Sequence, residues 1–196
     1  DILDSITYAK RLQDAILPPK DSLQKALPGS FLVYKPKDIV AGDFYFMEIS
    51  GNKIILAAAD CTGHGVPGAM VSVVCSNALS RSVKEFGLTD PGKILDKVRL
   101  LVLETFEKSV SAVNDGMDIS LVVIDKTNKT ISWAGANNPL WYMTGHEMKE
   151  VTTNKQPVGK FDGAKPFTTH SFSFAEMQML FLFTDGYADQ FGGPNG

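Results

Sequence analysis

Residues 54–69 read IILAAADCTGHGVPGA and contain a strongly apolar run that ends at an acidic residue and a glycine-rich turn. The run Ile54–Ala59 has no polar residue, which is typical of a β-strand covered on both faces. Asp60 ends the run, and three of the next eight residues are glycines, so we predict a loop there. A carboxylate between a buried strand and a loop indicates a functional site at a sheet edge.

The rest of the chain consists of strand patterns on either side of two helical patterns. We predict strands at 31–34, 44–49, 53–59, 119–124, 130–134, 140–143, 148–151, 167–174 and 179–184, and helices at 69–86 and from 91 to near 110. This order is not the strand–helix alternation of a doubly wound parallel sheet. We therefore predict an α+β fold with antiparallel sheets and with helices packed outside them.

Composition and charge narrow the classes of function. The 196 residues are 44% hydrophobic and 21% charged, and 19 basic against 22 acidic residues give a net charge of −3. Such a composition is that of a globular domain, and its slight acidity argues against nucleic acid as a partner. No apolar run approaches the roughly 20 residues of a membrane span. Two cysteines exclude a disulfide-stapled secreted scaffold, so we expect a cytoplasmic protein, which a tether to a membrane sensor in the full-length chain would still allow.

An amphipathic helix opens the chain, and Pro18 and Pro19 end it. Its apolar residues recur every three or four positions, at Ile2, Ile6, Ala9, Leu12 and Ile16. Two interpretations stay open: the helix packs on its own domain, or it is a connector whose apolar stripe meets a partner. The partner would be an N-terminal sensor region of the full-length chain or a second copy in a homodimer. We treat residues 1–18 as this connector and Ile6 and Leu12 as its regulatory positions.

Three aspartates lie at the ends of predicted strands, beside glycine-rich turns. Asp43 opens one strand, Asp60 closes the most apolar strand, and Asp185 closes another. A carboxylate at the rim of a buried strand must be paired or must bind a cation. Carboxylates are the hard oxygen ligands that Mg²⁺ and Mn²⁺ prefer. The three residues therefore indicate a divalent-metal site, although a turn would be sufficient to explain any one of them alone.

Five segments of the chain occur in the order found in a known family. They are residues 42–45, 59–69, 115–118, 135–139 and 184–189. The ordered set resembles the SpoIIE-type bacterial serine/threonine phosphatases, within the metal-dependent, protein-phosphatase-2C-like (PPM) family. The resemblance covers nearly the whole chain, and the part from Asp60 to Ala69 is its most specific motif.

The resemblance implies a fold for residues 19–196, which would form the phosphatase domain. That fold is a β-sandwich of two packed antiparallel sheets flanked by helices, with a site for two Mn²⁺ or Mg²⁺ ions at one edge. The family's final metal ligand lies in a later strand that contains an aspartate. Since the chain stops at residue 196 before any such motif, we expect a C-terminally incomplete domain whose last ligand lies beyond that residue.

The resemblance also implies roles for individual residues. Asp43 and Asp60 would hold the metal pair and serve catalysis, with Asp60 between the two ions. Cys61 stands where the family uses a backbone carbonyl as a ligand, and Asp185 matches the later metal-binding aspartate.

Two further residues are candidates for supporting this centre. His64 is close to Asp60 in the sequence, but a purely structural role in the loop is the alternative. Asp118 would support the site or bind an accessory metal, and a turn-capping role explains it equally well.

The function implied by the resemblance is hydrolysis of phosphoserine or phosphothreonine on a signalling protein. A hydroxide that bridges the two metals would attack the phosphorus in line. The expected substrate is a phosphorylated STAS-type anti-sigma-factor antagonist. Two alternatives remain, namely a PPM-like interaction module that has lost turnover and a small-molecule phosphoesterase. The three retained aspartates argue against the first, and an assay with a phosphoserine protein would separate the second.

Overall fold

The computed structural model describes residues 1–108, 115–189 and 192. A helical layer packs on one face of a five-stranded sheet, and a three-stranded sheet packs on the other face. The helices are α1 (Ile2–Ile16), α2 (Lys20–Ala26), α3 (Gly65–Lys84) and α4 (Pro91–Glu107). The strands are β1 (Phe44–Ser50), β2 (Lys53–Cys61), β3 (Met117–Asp125), β4 (Thr130–Ala136), β5 (Leu140–Thr144), β6 (Glu147–Val151), β7 (His170–Ser173) and β8 (Met179–Phe181). The sheet orders are β1-β2-β3-β4-β7 and β6-β5-β8, and all neighbouring strands are antiparallel. The predicted α+β fold with two antiparallel sheets is therefore confirmed.

The central strands are apolar on both faces because each face covers a different core. In β2, Ile55 and Ala57 belong to the core shared with α3 and α4. Ile54 and Leu56, which alternate with them, belong to the core between the two sheets. Successive side chains of a strand point to opposite faces. The run that the sequence shows at Ile54–Ala59 thus serves two hydrophobic cores at once.

Helix α4 begins where its sequence signals indicate. The Asp90 carboxylate accepts a hydrogen bond of 3.0 Å from the Lys93 N–H, and Pro91 occupies the first helical turn. This cap satisfies one of the donors that a helix start leaves unpaired, and proline fits there because it has no N–H to lose. Gly87, with φ of +63°, lies in the turn between α3 and α4. The side of α4 that contains Ile94 and Val98 is fully buried in the helix-side core.

The secondary structure predicted for the segment before β1 is wrong in two respects. Residues 31–34, which belong to the described part of the chain, form no strand, and the side chains of Phe31 and Val33 are 70% and 71% exposed. Their β-propensity is not sufficient because no neighbouring strand pairs with them. Residues 20–26, where we predicted no helix, form α2, with an ion pair of 2.6 Å between Lys25 and Asp21 one helical turn apart.

Further along the chain, three other boundaries differ from expectation. Helix α3 starts at Gly65 rather than at residue 69, since Gly63 and Gly65 adopt positive φ and complete the turn in fewer residues. The strands expected at 167–174 and 179–184 are shortened to β7 and β8. The expected end of α4 near Val110 lies outside the described residues.

Helix α1 is joined to its own domain mainly by a buried polar side chain. Gln13 is 2% exposed; its Nε2 donates to the Ala41 carbonyl at 2.6 Å and to the Ser72 Oγ at 3.1 Å, and its Oε1 accepts from the Ala41 N–H at 3.0 Å. Much of the apolar stripe stays exposed, with Ile2 at 80% and Leu12 at 55%. Both open interpretations of the helix thus find support, and the division at residue 18 stays a prediction. Over the described residues, no helix is long and apolar enough to cross a membrane.

Candidate metal centre

Three aspartates lie side by side at one end of the five-stranded sheet. Asp60 and Asp118 are direct partners in the β2–β3 register. Asp43 immediately precedes Phe44, whose partner is Ala59, and this places Asp43 next in the same row. Directly opposed residues of an antiparallel pair share one face. Asp43, Asp60 and Asp118 thus form a row of carboxylates on the sheet face that packs against the second sheet. The row lies at one open end of the space between the two sheets, which we call the mouth of the sandwich.

A fourth carboxylate reaches this row from the other sheet. Asp185 begins a short 3₁₀ turn, Asp185–Tyr187, that follows β8. Burial, and then contact with Asp43 and Asp185, raises the pKa of Asp60 to about 8. Burial also raises the pKa of Asp118; a hydrogen bond from Asn137 opposes this rise, and the charge of Asp185 adds to it. The tertiary fold thus brings together four acidic groups that repel one another in the absence of a cation.

Neighbouring polar side chains hold two of these carboxylates in place. The Thr184 hydroxyl donates to Asp43 Oδ2 at 2.7 Å, and the Asn137 Nδ2 donates to Asp118 Oδ1 at 2.8 Å. The Tyr34 hydroxyl donates to the Asp43 backbone carbonyl at 3.0 Å. Such contacts limit the orientations of a ligating group.

Sequence reasoning missed Thr184 and Tyr34 as functional residues. Thr184 had a usable signal, because it directly precedes Asp185 in one of the five family-like segments. Tyr34 had none, since it lay in a stretch expected to be an ordinary strand.

The Cys61 side chain lies on the face of β2 opposite the carboxylate row, and His64 lies in the exposed turn after β2. The Cys61 side chain is 3% exposed and belongs to the helix-side core, on the opposite face of β2 from Asp60. Contact with Cys75, together with burial, raises the pKa of the Cys61 thiol well above its usual value. The Cys61 thiol therefore lies outside the row, and ligation of a metal by the Cys61 backbone carbonyl stays a prediction. His64 is exposed at the start of α3, and its side chain makes no capping hydrogen bond.

Three glycines let the backbone segments beneath the site touch. A Cβ added to Gly68 would lie 2.4 Å from the Gly63 carbonyl oxygen. A Cβ on Gly42 would lie 2.8 Å from the same oxygen and 3.0 Å from the Cys61 carbonyl oxygen. Side chains cannot fit at these distances, so the position of the loop after Asp60 depends on glycine.

The donor set suits hard divalent cations, although it does not close around a single point. Within residues 1–108 and 115–189, no three His, Cys, Asp or Glu side chains are arranged as a ready cage for one ion. Two ions about 4 Å apart, however, need ligands that are spread along an edge rather than gathered at a point. The row of Asp43 and Asp60 facing Asp185 meets that requirement in ligand type and placement, and its repulsion is of the kind that cations relieve.

We expect the metal-free protein to lose stability as the pH rises from about 4 to 8. The folded-state pKa of Asp60 is raised from 3.8, so the folded form holds its proton more tightly than the unfolded chain does. The resulting stabilisation is complete below about pH 4 and is lost as the pH passes through 8. Water screens this half-buried group, so its contribution is about 1 kcal/mol, or roughly 3 °C in Tm.

The measurement is thermal unfolding in EDTA at pH 5, 7 and 9, comparing the parent protein with Asp60→Asn. The variant should be the more stable of the two at pH 9 and should show less pH dependence. Asp162→Asn, at an exposed loop position, serves as the control and should follow the parent. If the unfolding temperature of Asp60→Asn changes with pH in the same way as that of the parent, the protonation of Asp60 does not control the stability of the metal-free protein.

Comparisons with known proteins agree with this geometry. The model of the family Stage II sporulation protein E (SpoIIE) matches residues 50–196. The PP2C domain of SiaA from Pseudomonas aeruginosa superimposes with a TM-score of 0.80 and 31% identity, covering 100% of this chain and 76% of that one. A comparison with curated protein sequences gives no significant match.

Two other solved structures share the fold at lower identity. The PP2C phosphatase domain and regulatory-domain fragment of SpoIIE from Bacillus subtilis has a TM-score of 0.57 and 17% identity, over 72% of this chain and 40% of that one. RsbX in complex with magnesium has a TM-score of 0.50 and 16% identity, over 72% and 64%.

The layered fold with an acidic row at the mouth of its two sheets, taken with these matches, defines the class as the PP2C-type protein serine/threonine phosphatases. Since the family model covers well over half of its length, the chain belongs to the SpoIIE family.

Proposed function

We propose that this phosphatase domain removes phosphate from serine or threonine of a phosphorylated signalling protein, and that the substrate is a STAS-type anti-sigma-factor antagonist. The observation that carries the proposal is the row of Asp43, Asp60 and Asp118 opposite Asp185 at the open mouth of the sandwich. A folded protein that had no use for cations would gain stability by losing these mutually repelling groups. Membership of the SpoIIE family supports the same assignment.

In this proposal Asp43, Asp60 and Asp185 would hold two Mg²⁺ or Mn²⁺ ions, and the Cys61 backbone carbonyl would be a further ligand. When bound, such ions supply an activated water molecule and neutralise charge on the phosphoryl group. Thr184 holds the Asp43 carboxylate in one orientation through its 2.7 Å hydrogen bond. Substitution of residues with this supporting role typically lowers metal affinity or activity 10- to 100-fold.

Asp118 takes a supporting place in the same proposal. Its carboxylate lies directly across from Asp60 and is fixed by Asn137. A fixed negative charge at that position favours cations in the row without itself having to bind them. His64 is exposed at the start of α3, and a supporting role for it near Asp60 stays a prediction.

The decisive experiment is an assay of phosphate release from a phosphoserine protein and from p-nitrophenyl phosphate, with Mn²⁺, with Mg²⁺ and with EDTA. We expect release from the protein to require the metal and its kcat/KM to exceed that of the small ester by about 100-fold, since protein contacts outside the site add binding energy. Activity confined to the small ester would favour the phosphoesterase alternative. Metal binding without any turnover would favour the interaction module.

We also propose that helix α1 is a regulatory connector to a partner, either the N-terminal sensor region or a second copy. Gln13 joins this helix to the backbone of Ala41, two residues before Asp43. A movement of α1 would therefore displace the backbone next to the proposed metal ligands. The exposed stripe supplies apolar surface for the partner.

Glutamate at both Ile6 and Leu12 should therefore change the oligomeric state or the Mn²⁺ affinity about tenfold while leaving the domain folded. The matched control is Arg11→Glu, a charge change at an exposed position of the same helix. Size-exclusion chromatography and Mn²⁺ titration would check this result. If the double variant and the control behave alike in both measurements, α1 only packs on its domain.

A further inference from the structure

An open cavity of about 180 Å³ lies next to the acidic row. Three chain segments form its walls: the end of β2, the start of β3 and the loop after β6. Asp60 lies in the first wall and Asp118 in the second. The third wall contains Lys160, the only basic side chain that lines the cavity in the described part of the chain. The positively charged side chain of Lys160 thus borders the place where the proposed chemistry would occur.

The loop that carries Lys160 is anchored on both sides. On one side Val158 exchanges two backbone hydrogen bonds with Met117, of 3.0 Å and 2.8 Å, where β3 begins. The backbone packs closely there, since a Cβ on Gly116 would lie 2.3 Å from the Val158 carbonyl oxygen. Lys160 follows this anchor by two residues, so its backbone is fixed relative to β3 and Asp118.

On the other side, a buried amide closes the base of the loop. The Gln156 Nε2 donates to the Lys165 carbonyl at 2.6 Å, and the Lys165 N–H donates to the Gln156 Oε1 at 2.9 Å. Gln156 is only 5% exposed, so water does not compete for these bonds. Arg99 in α4 also donates to the Lys165 carbonyl, at 2.8 Å. The loop therefore presents Lys160 from a rigid base, as a site for a small anion requires.

The ammonium group of Lys160 is available to bind a ligand. It is exposed, and in residues 1–108 and 115–189 no carboxylate lies within ion-pair distance of it. A flexible lysine that borders a phosphate-sized space and keeps its charge unpaired can bind phosphoryl oxygens by charge-assisted hydrogen bonds.

We propose that Lys160 binds the phosphoryl group of the substrate and positions it over the carboxylate row. This inference rests on the proposed phosphatase function. Lys160 contributes to substrate binding rather than to bond cleavage, because no proton or electron pair has to pass through it. It also attracts the anionic substrate into a cavity whose other charged walls are acidic.

The test compares the parent with Lys160→Ala, Lys160→Arg and the control Lys155→Ala, which removes an exposed lysine of the same loop that does not line the cavity. Steady-state kinetics with a phosphoserine peptide at saturating Mn²⁺ give KM and kcat separately. Calorimetry with the peptide's non-hydrolysable phosphonate analogue gives an affinity that does not depend on turnover.

We expect Lys160→Ala to raise KM and the dissociation constant of the analogue about tenfold, with kcat changed less than about threefold. Lys160→Arg should restore most of the affinity, and Lys155→Ala should match the parent. Equal affinities for Lys160→Ala and Lys155→Ala, in a parent that hydrolyses the peptide, would overturn the role of Lys160 and leave the proposed function standing. A parent that neither hydrolyses the peptide nor binds the analogue would overturn both.

Discussion

Replacing Asp60 by asparagine should reduce metal-dependent hydrolysis of a phosphoserine protein by at least about 1,000-fold. Asparagine keeps the size of the side chain but removes the charge at the centre of the row, where Asp43, Asp118 and Asp185 converge. Loss of one anionic ligand weakens a site for hard cations severely, and the charge stabilisation those ions supply is worth several kcal/mol. Initial rates over a wide range of Mn²⁺ concentrations would measure the loss.

Two controls separate loss of the metal from loss of the fold. The metal-free variant should unfold at a temperature equal to or above that of the parent, because a repelling charge has been removed. Asp118→Asn should cost less, about 10- to 100-fold, since Asp118 supports the site in our proposal without binding the ions. A rate for Asp60→Asn within tenfold of the parent at saturating Mn²⁺ would show that the proposed metal centre is wrong.

Replacing Gly68 by alanine should destabilise the domain by about 3 kcal/mol, or roughly 10 °C in Tm. The new Cβ would lie 2.4 Å from the Gly63 carbonyl oxygen and 2.8 Å from its carbonyl carbon, and backbone atoms cannot move aside as a side chain can. Relief of this clash requires the loop after Asp60 to shift away from α3. We therefore expect Mn²⁺ affinity to fall together with stability, since the Cys61 carbonyl lies in the displaced segment.

Gly29→Ala is the matched control, because a Cβ at Gly29 would meet no atom within 4 Å. Gly42→Ala should give an intermediate loss, since its Cβ would lie 2.8 Å from the Gly63 carbonyl oxygen. Thermal unfolding with and without Mn²⁺ would test the order of the three variants. If Gly68→Ala is as stable as Gly29→Ala, the contact between these glycines does not hold the loop.

Much of the fold could be predicted from the sequence because its signals are local. The apolar run Ile54–Ala59 had to be covered on both faces, and the structure places a separate core on each side of it. The start of α4 followed from Asp90 and Pro91, which act within one turn of themselves. The strand expected at residues 31–34 failed for the opposite reason: whether a strand forms depends on a neighbour that its own residues do not specify.

The candidate site divides in the same way. Sequence alone singled out Asp43, Asp60 and Asp185 as candidates, because a carboxylate at the end of an apolar strand is costly enough to need a partner. The aspartate at position 118 was equally compatible with a turn, and only the β2–β3 register placed it opposite Asp60.

The remaining features of the site arise from contacts between segments far apart in the chain. The Thr184 hydroxyl meets Asp43 across 141 residues, and Gln13 meets Ala41 and Ser72 across 28 and 59 residues. Lys160 reaches the cavity because its loop is anchored to β3 through Val158. Local sequence thus determined the strands, the caps and the acidic residues, whose preferences depend on near neighbours. The tertiary structure decided which of those groups meet, because strand register and packing between distant segments set the distances on which hydrogen bonds and charge repulsion depend.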